Sequence, residues 1–324
     1  MKTDSIKKVC CIGAGIIGSS WATLFAKNGL TVNVYDSFPT SLDAAEGKIR
    51  VNLQGYIDNG HMTQEQVDEV MKNISYFDNL ADALEGVQFI QESVPEVLEI
   101  KQTMVDQIDE CNADAIVCSS TSGMNISDIS GKSKYPGRYI GGHPFNPPHL
   151  MPLVELTKWE KTDDEILHTA EEFYKLMKKV PVILKKESPG FIGNRLQHAV
   201  VREAITIIME DICSVEDLDK ALVFGLGLRW AILGPNLVGE LNGGEKGISN
   251  YLWGVFREGW DEAFQRLHDC SITKVPEEYA LKIGPEGVAE EKKNREPGTG
   301  NTNEEIAEYR DKMLMGILAL HNKL

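Results

Sequence analysis

The sequence predicts an α/β protein: an N-terminal doubly wound, largely parallel sheet over residues 1–188, followed by an all-α C-terminal domain over residues 189–324. Three observations predict it. Strand-like and helix-spaced runs alternate through the first part, as they do when helices cover both faces of a parallel sheet. Gly13-x-Gly15-x-x-Gly18 stands between the first strand-like run and the first helical one. After Ser188-Pro189-Gly190 the strand-like runs stop, and the rest of the chain is mostly helical in its spacing.

Residues 8–12 are short and β-rich, residues 17–28 have helical spacing that stops at Gly29, and residues 31–35 are β-branched up to Asp36. Further strands are expected at 89–92, 115–119, 139–142, 153–157 and 180–184, with helices at 41–57, 64–72, 100–110 and 164–178. Beyond the boundary, helices are expected at 191–211, 216–223, 247–267 and 304–320. The aromatic stripe within 247–267 suits a core or a subunit interface, and the charged, Pro/Gly-containing segment 289–303 reads as a solvated loop. There is no internal repeat and no low-complexity tract.

Composition narrows the functions available. The 324 residues are 42% apolar and 25% charged, with a net charge of −16. So acidic a surface repels phosphate backbones and anionic lipid, which argues against nucleic-acid and membrane partners. No apolar run has the length of a membrane span. Lys7 and Lys8 before the apolar stretch 9–18 faintly mimic a secretory signal, but three glycines suit a turn better than a helical segment. The six cysteines, at 10, 11, 111, 118, 213 and 270, form no Cys-x-x-Cys pair and no metal-ligand spacing. A cytoplasmic protein with reduced thiols and no metal is the expectation.

The glycine run has a physical reading. Gly13 permits a tight turn, Gly15 lets the backbone approach a pyrophosphate, and Gly18 lets the helix lie close to the sheet. The helix N-terminus then offers free N–H groups and a positive dipole end to the phosphates. Gly13, Gly15, Ile16, Ile17 and Gly18 are therefore candidate cofactor contacts. Asp36, 18 residues after Gly18, can accept from a ribose 2′-hydroxyl and would repel a 2′-phosphate, so NAD is favoured over NADP.

The chemistry must come from side chains. His143 follows a β-run and precedes Pro144; Glu155 lies inside the apolar run 153–156. A carboxylate there is costly unless paired, and an imidazole is the obvious partner. Such a pair fixes the tautomer and suits the imidazole for taking a proton from an alcohol. The developing carbonyl oxygen also needs donors, and Ser122, just past a strand end, and Asn194, in the first turns of a helix, are candidates. The other histidines lack such company and read as structural or surface residues. Arg229 sits among apolar residues, where a buried guanidinium needs an anion: a substrate, a salt bridge or a dimer contact would each serve.

Taken together, the Gly loop, Ser119-Ser-Thr-Ser-Gly123, Gly142-His-Pro-Phe-Asn-Pro-Pro148, Leu153-Val-Glu155 and Pro189-Gly-Phe-Ile-Gly-Asn-Arg195 resemble the 3-hydroxyacyl-CoA dehydrogenase superfamily. Gln91-Glu-Ser-Val-Pro-Glu96 and Gly225-Leu-Gly-Leu-Arg-Trp230 are similar to its branch of L-gulonate 3-dehydrogenase (lambda-crystallin) and L-carnitine dehydrogenase. The resemblance implies a Rossmann domain, a helical substrate and dimerisation domain, and a homodimer. It implies NAD, with His143 as base, Glu155 as its partner, and Ser122 and Asn194 on the substrate oxygen. It further implies that Asn146 supports the site, that Glu96 lies near the nicotinamide, and that Arg229 receives a substrate carboxylate. The segment Tyr56–Glu65 lacks the basic cluster with which acyl-CoA members meet CoA phosphates. A small free 3-hydroxy acid is therefore expected. A 3-hydroxyacyl-CoA dehydrogenase is the alternative within enzymes, and a non-catalytic NAD-binding structural protein the alternative outside them.

Overall fold

A computed structural model describes residues 3–254, 257–270 and 272–323. Its contacts divide the chain into two compact units, Met1–Asn194 with Ala307–Leu324, and Arg195–Ile306. Sequence places the boundary at residue 188. In the structure the division falls after Asn194, and residues 307–323 pack with the first unit.

The first unit is built on an eight-stranded sheet in the order β3-β2-β1-β4-β5-β6-β7-β8. The strands are β1 (Lys8–Ile12), β2 (Thr31–Tyr35), β3 (Ile74–Phe77), β4 (Phe89–Glu92), β5 (Ile116–Ser119), β6 (Tyr139–Pro144), β7 (Leu153–Thr157) and β8 (Val180–Ile183). All neighbours are parallel except β6 and β7, which run antiparallel. The helices are α1 (Ile16–Lys27), α2 (Pro39–Asp58), α3 (Gln64–Lys72), α4 (Leu80–Leu84), α5 (Leu98–Cys111), α6 (Ile126–Ser130) and α7 (Asp164–Leu176), and α8 (Gly193–Met209) leads out of the unit.

Period-two alternation places successive strand residues on opposite faces. Val9, Cys11 and Phe89 join one apolar cluster with Trp21, Phe25, Phe173 and Tyr174. Cys10, Ile12 and Ile90 join the other, with Val105, Ile108 and Val117. Strands buried on both faces read as unbroken apolar runs, which is why these were legible. β3 was not: it is an edge strand with a half-exposed end, and four residues carry too little pattern. From the C-terminal helix Asn303–Leu320, Met315 and Leu318 pack on Tyr56 of α2 and on Leu150.

The second unit is helical. The expected helix 247–267 is two helices, Gly247–Trp253 and Arg257–Cys270, with Gly254 at the break; Val255 and Phe256 lie outside the described residues. The expected loop 289–303 is corrected in its first part, because helix Gly284–Asn294 runs through it. Ala289-Glu-Glu-Lys-Lys293 are strong helix formers, and Pro285 suits a first turn, so propensity outweighs the high charge. Val223, Phe224, Leu228, Ile232, Leu237 and Leu241 of this unit are exposed. Among the described residues, no single helix is long and apolar enough to cross a membrane.

Candidate active site

The loop after β1 has the shape its glycines predict. Gly13 has φ +95°, and an added Cβ there would meet Ser93 O at 2.6 Å. A Cβ at Gly18 would lie 1.8 Å from Gly13 O, so α1 packs against the loop with no room for a side chain. At Gly15 a Cβ would meet nothing within 4 Å; the loop is open there. No side chain caps α1, whose first turn begins with Ile16 and Ile17, so its N–H groups remain for a ligand. Asp36 closes the floor: Oδ2 accepts from Ala14 N at 2.9 Å and Oδ1 from Phe38 N at 3.0 Å. An open glycine facing an uncapped helix N-terminus beside a carboxylate fits a dinucleotide. Gly18→Ala is expected to raise the NADH dissociation constant by about tenfold or more, the scale of a lost helix-terminus anion contact with added strain, measured by NADH fluorescence titration.

His143 and Glu155 are directly opposite residues of the antiparallel β6–β7 pair. Opposite residues project from the same face, so the pairing brings the side chains together. Nδ1 of His143 lies 2.8 Å from Oε2 of Glu155. The other carboxylate oxygen accepts from Ile192 N at 2.7 Å and Gly193 N at 2.9 Å. Burial alone would raise the Glu155 pKa, but the bonds from His143, Gly193 and Ile192 outweigh it, and the carboxyl is held below its ordinary value. An ionised Glu155 can only accept, so Nδ1 donates and the neutral ring keeps a lone pair on Nε2. Phe145 and Phe191 flank the imidazole with ring centroids 5.7 and 5.4 Å away. The approach to α8 is tight: a Cβ at Gly193 would meet the Phe145 ring at 2.3 Å. Phe191 is left-handed at φ +49°, a conformation costly for a bulky residue and tolerated where surrounding contacts enforce it.

Beside this pair lies the turn after β5. Glu96 Oε1 accepts from Thr121 Oγ1 at 2.6 Å, Ser122 N at 2.8 Å and Gly123 N at 3.2 Å, with Ser122 Oγ at 3.4 Å. Burial would raise the Glu96 pKa; the Thr121 bond and the charge of Lys101 outweigh it and lower it. Asn194 Nδ2 donates to Ser122 O at 3.0 Å. A continuous bonded path thus runs from His143 through Glu155 and Gly193–Asn194 to Ser122. Asn146 is exposed just past β6, before the cis peptide to Pro147. Arg229 lies in the second unit on helix Leu228–Trp230, and the expectation that it is buried is corrected: its side chain is exposed, with no carboxylate partner among the described residues.

Two further residues, Lys101 and Glu92, lie behind this turn. Lys101, 1% exposed, donates to Glu92 Oε1 at 2.9 Å and lies 3.4 Å from Glu96 Oε2. Glu92 also accepts from Ser119 Oγ at 2.5 Å and Val94 N at 2.7 Å. The signal was available, since Glu92 is a carboxylate ending an apolar strand, the same feature that singled out Glu155. Among the described residues no cluster of His, Cys, Asp and Glu could hold a metal ion.

The family model for the NAD-binding domain of 3-hydroxyacyl-CoA dehydrogenase matches residues 8–188, and that for its C-terminal domain matches residues 190–275. The chain belongs to the 3-hydroxyacyl-CoA dehydrogenase family. It is 37% identical over 254 residues to an L-carnitine dehydrogenase of Nocardiopsis dassonvillei, covering 77% of this chain and 75% of that one. It is 33% identical over 332 residues to a 3-hydroxyacyl-CoA dehydrogenase of Gibberella moniliformis, covering 99% and 97%. Among solved structures, it is similar to 5-formyl-3-hydroxy-2-methylpyridine 4-carboxylic acid 5-dehydrogenase, an NAD+-dependent dismutase, with a TM-score of 0.74, 25% identity, and coverage of 98% and 97%. This family member is an NAD-dependent dehydrogenase that oxidises a hydroxyl-bearing carbon of a 3-hydroxy substrate, and NAD is its cofactor.

Proposed function

We propose that the substrate is a small free 3-hydroxy acid, gulonate- or carnitine-like, interconverted with its 3-oxo acid, and that His143 is the base. The observation that carries this reading is the His143–Glu155 bond at 2.8 Å, which leaves Nε2 as an acceptor among apolar rings. The bound cofactor supplies the hydride acceptor. Nε2 takes the hydroxyl proton while Glu155 keeps Nδ1 protonated and steadies the imidazolium. Ser122 Oγ, turning from its long contact with Glu96, and the Asn194 amide hold the substrate oxygen as it becomes a carbonyl. Asn146 supports the site from the end of β6. Gly13, Gly15, Ile16, Ile17 and Gly18 receive the pyrophosphate and Asp36 the ribose, while Glu96 sets the turn beside the nicotinamide.

Similarity to L-carnitine dehydrogenases supports a free acid, as does the turn between α2 and α3, which has no Lys or Arg from Asp58 to Thr63. Arg229 is the proposed receiver of the substrate carboxylate. Arg229→Gln is expected to raise KM for the free acid by about tenfold or more with kcat little changed, the pattern of a lost charge-assisted contact made in ground and transition states alike. Steady-state kinetics check it. The exposed apolar residues of the second unit suit a homodimer interface, and free Cys10, Cys11, Cys111, Cys118 and Cys213 suit the cytoplasm.

A panel of L-carnitine, L-gulonate, 3-hydroxybutyrate and acetoacetyl-CoA, followed at the NADH absorbance band, tests the reading. Preference for a free acid is the expected result. Preference for the thioester would replace it with the acyl-CoA reading, and NADH binding without turnover on a broad panel would point to a non-catalytic role.

A further inference from the structure

We propose that Lys48 supplies the positive charge of the cofactor site, its ammonium group lying beside the pyrophosphate of the bound dinucleotide. The inference rests on NAD occupying the Gly13–Gly18 loop. Lys48 lies on the face of α2 that turns towards α1, one turn before Asn52, whose Nδ2 donates to Thr23 Oγ1 of α1 at 3.1 Å. Lys48 Nζ reaches Ala14 O at 3.2 Å. Ala14 is therefore gripped from two sides, its N–H by Asp36 and its carbonyl by Lys48. The next residue is Gly15, where the loop is open.

An ammonium has three donors, and one donation to a neutral carbonyl leaves two for another acceptor. No carboxylate lies within ion-pair distance of Lys48 among the described residues. Glu46, the acid two residues before it, is held by Arg50 at 2.7 Å. A half-buried cation without a counter-ion gains most when an anion arrives. A dinucleotide brings two phosphate charges to a protein of net charge −16, which repels it overall. The α1 N-terminus offsets this with only about half a charge. Lys48 is the full charge placed at the same loop.

NADH fluorescence titrations of the full chain and of its Lys48→Met and Lys48→Arg variants, at low and high salt, test this. Lys48→Met should raise the dissociation constant by about tenfold at low salt, the scale of one charge-assisted contact, and Lys48→Arg should restore most of it. The loss should shrink as salt rises, because ions screen the missing attraction. A Lys48→Met constant within about twofold of the parent at low salt would overturn the proposal, that being a small fraction of a charge-assisted contact. A loss equal at all salt concentrations would overturn it too, since Lys48 would then merely hold the Ala14 carbonyl. If the parent itself bound no NADH, the cofactor assignment would fall, and this inference with it.

Discussion

His143→Gln is expected to lower kcat/KM by about 10³-fold, the middle of the range for a general acid–base group, while the NADH dissociation constant stays within about twofold of the parent. The side-chain amide can still donate to Glu155, so the buried carboxylate keeps a partner and the fold is preserved. What is lost is the lone pair on Nε2. Among the described residues no hydrogen bond links His143 to the Gly13–Gly18 loop, so cofactor binding has no reason to change. Steady-state rates and a fluorescence titration on the same preparation separate the two effects. An equal loss of NADH binding would show that His143 shapes the cofactor site instead of acting on the substrate.

Glu155→Ala should destabilise the protein by about 3 kcal/mol, because it leaves the N–H groups of Ile192 and Gly193 and the buried His143 Nδ1–H without an acceptor. Glu155→Gln should cost less stability and still lower kcat by about 10²-fold or more, since a neutral amide steadies an imidazolium poorly and does not enforce the tautomer. Denaturant unfolding and initial rates check both variants. The pH dependence has a definite sign. The folded-state pKa of Glu155 is below its unfolded value, so its contribution is present above the unfolded value of about 4.3 and is lost as pH falls through the folded one. The parent should therefore lose stability on acidification below about pH 5 more steeply than Glu155→Gln, which has no proton to take up there.

Much of the first unit was legible because its signals are local. β1, β2, β4 and β7 begin and end where the apolar runs do, and the Gly13 turn follows from three residues on one short loop. Other features are not local. The cost of a lone carboxylate in a strand calls for a partner such as an imidazole, but it leaves the strand direction open. The antiparallel register of β6 and β7 sets His143 directly opposite Glu155. The bonds of Glu96 to Thr121, Ser122 and Gly123 join residues 25–27 positions apart, beyond the reach of any local pattern. Lys101 and Glu92 are only nine positions apart, but Glu92 ends a strand and Lys101 lies on α5, and no local period joins the two elements.

By itself, then, the chain's order of residues determined the α/β class, the phosphate-ready glycine turn, the NAD preference carried by Asp36 and the identity of the side chains with chemistry to offer. Tertiary structure decided which of them meet. It set β7 antiparallel to β6, bonded Asn194 to the Ser122 carbonyl, brought residues 307–323 back to the first unit and left Arg229 exposed. The physical reason is that hydrophobic periodicity and turn chemistry act over a few residues, whereas strand direction, register and the satisfaction of buried polar groups are settled by contacts between segments far apart in the chain.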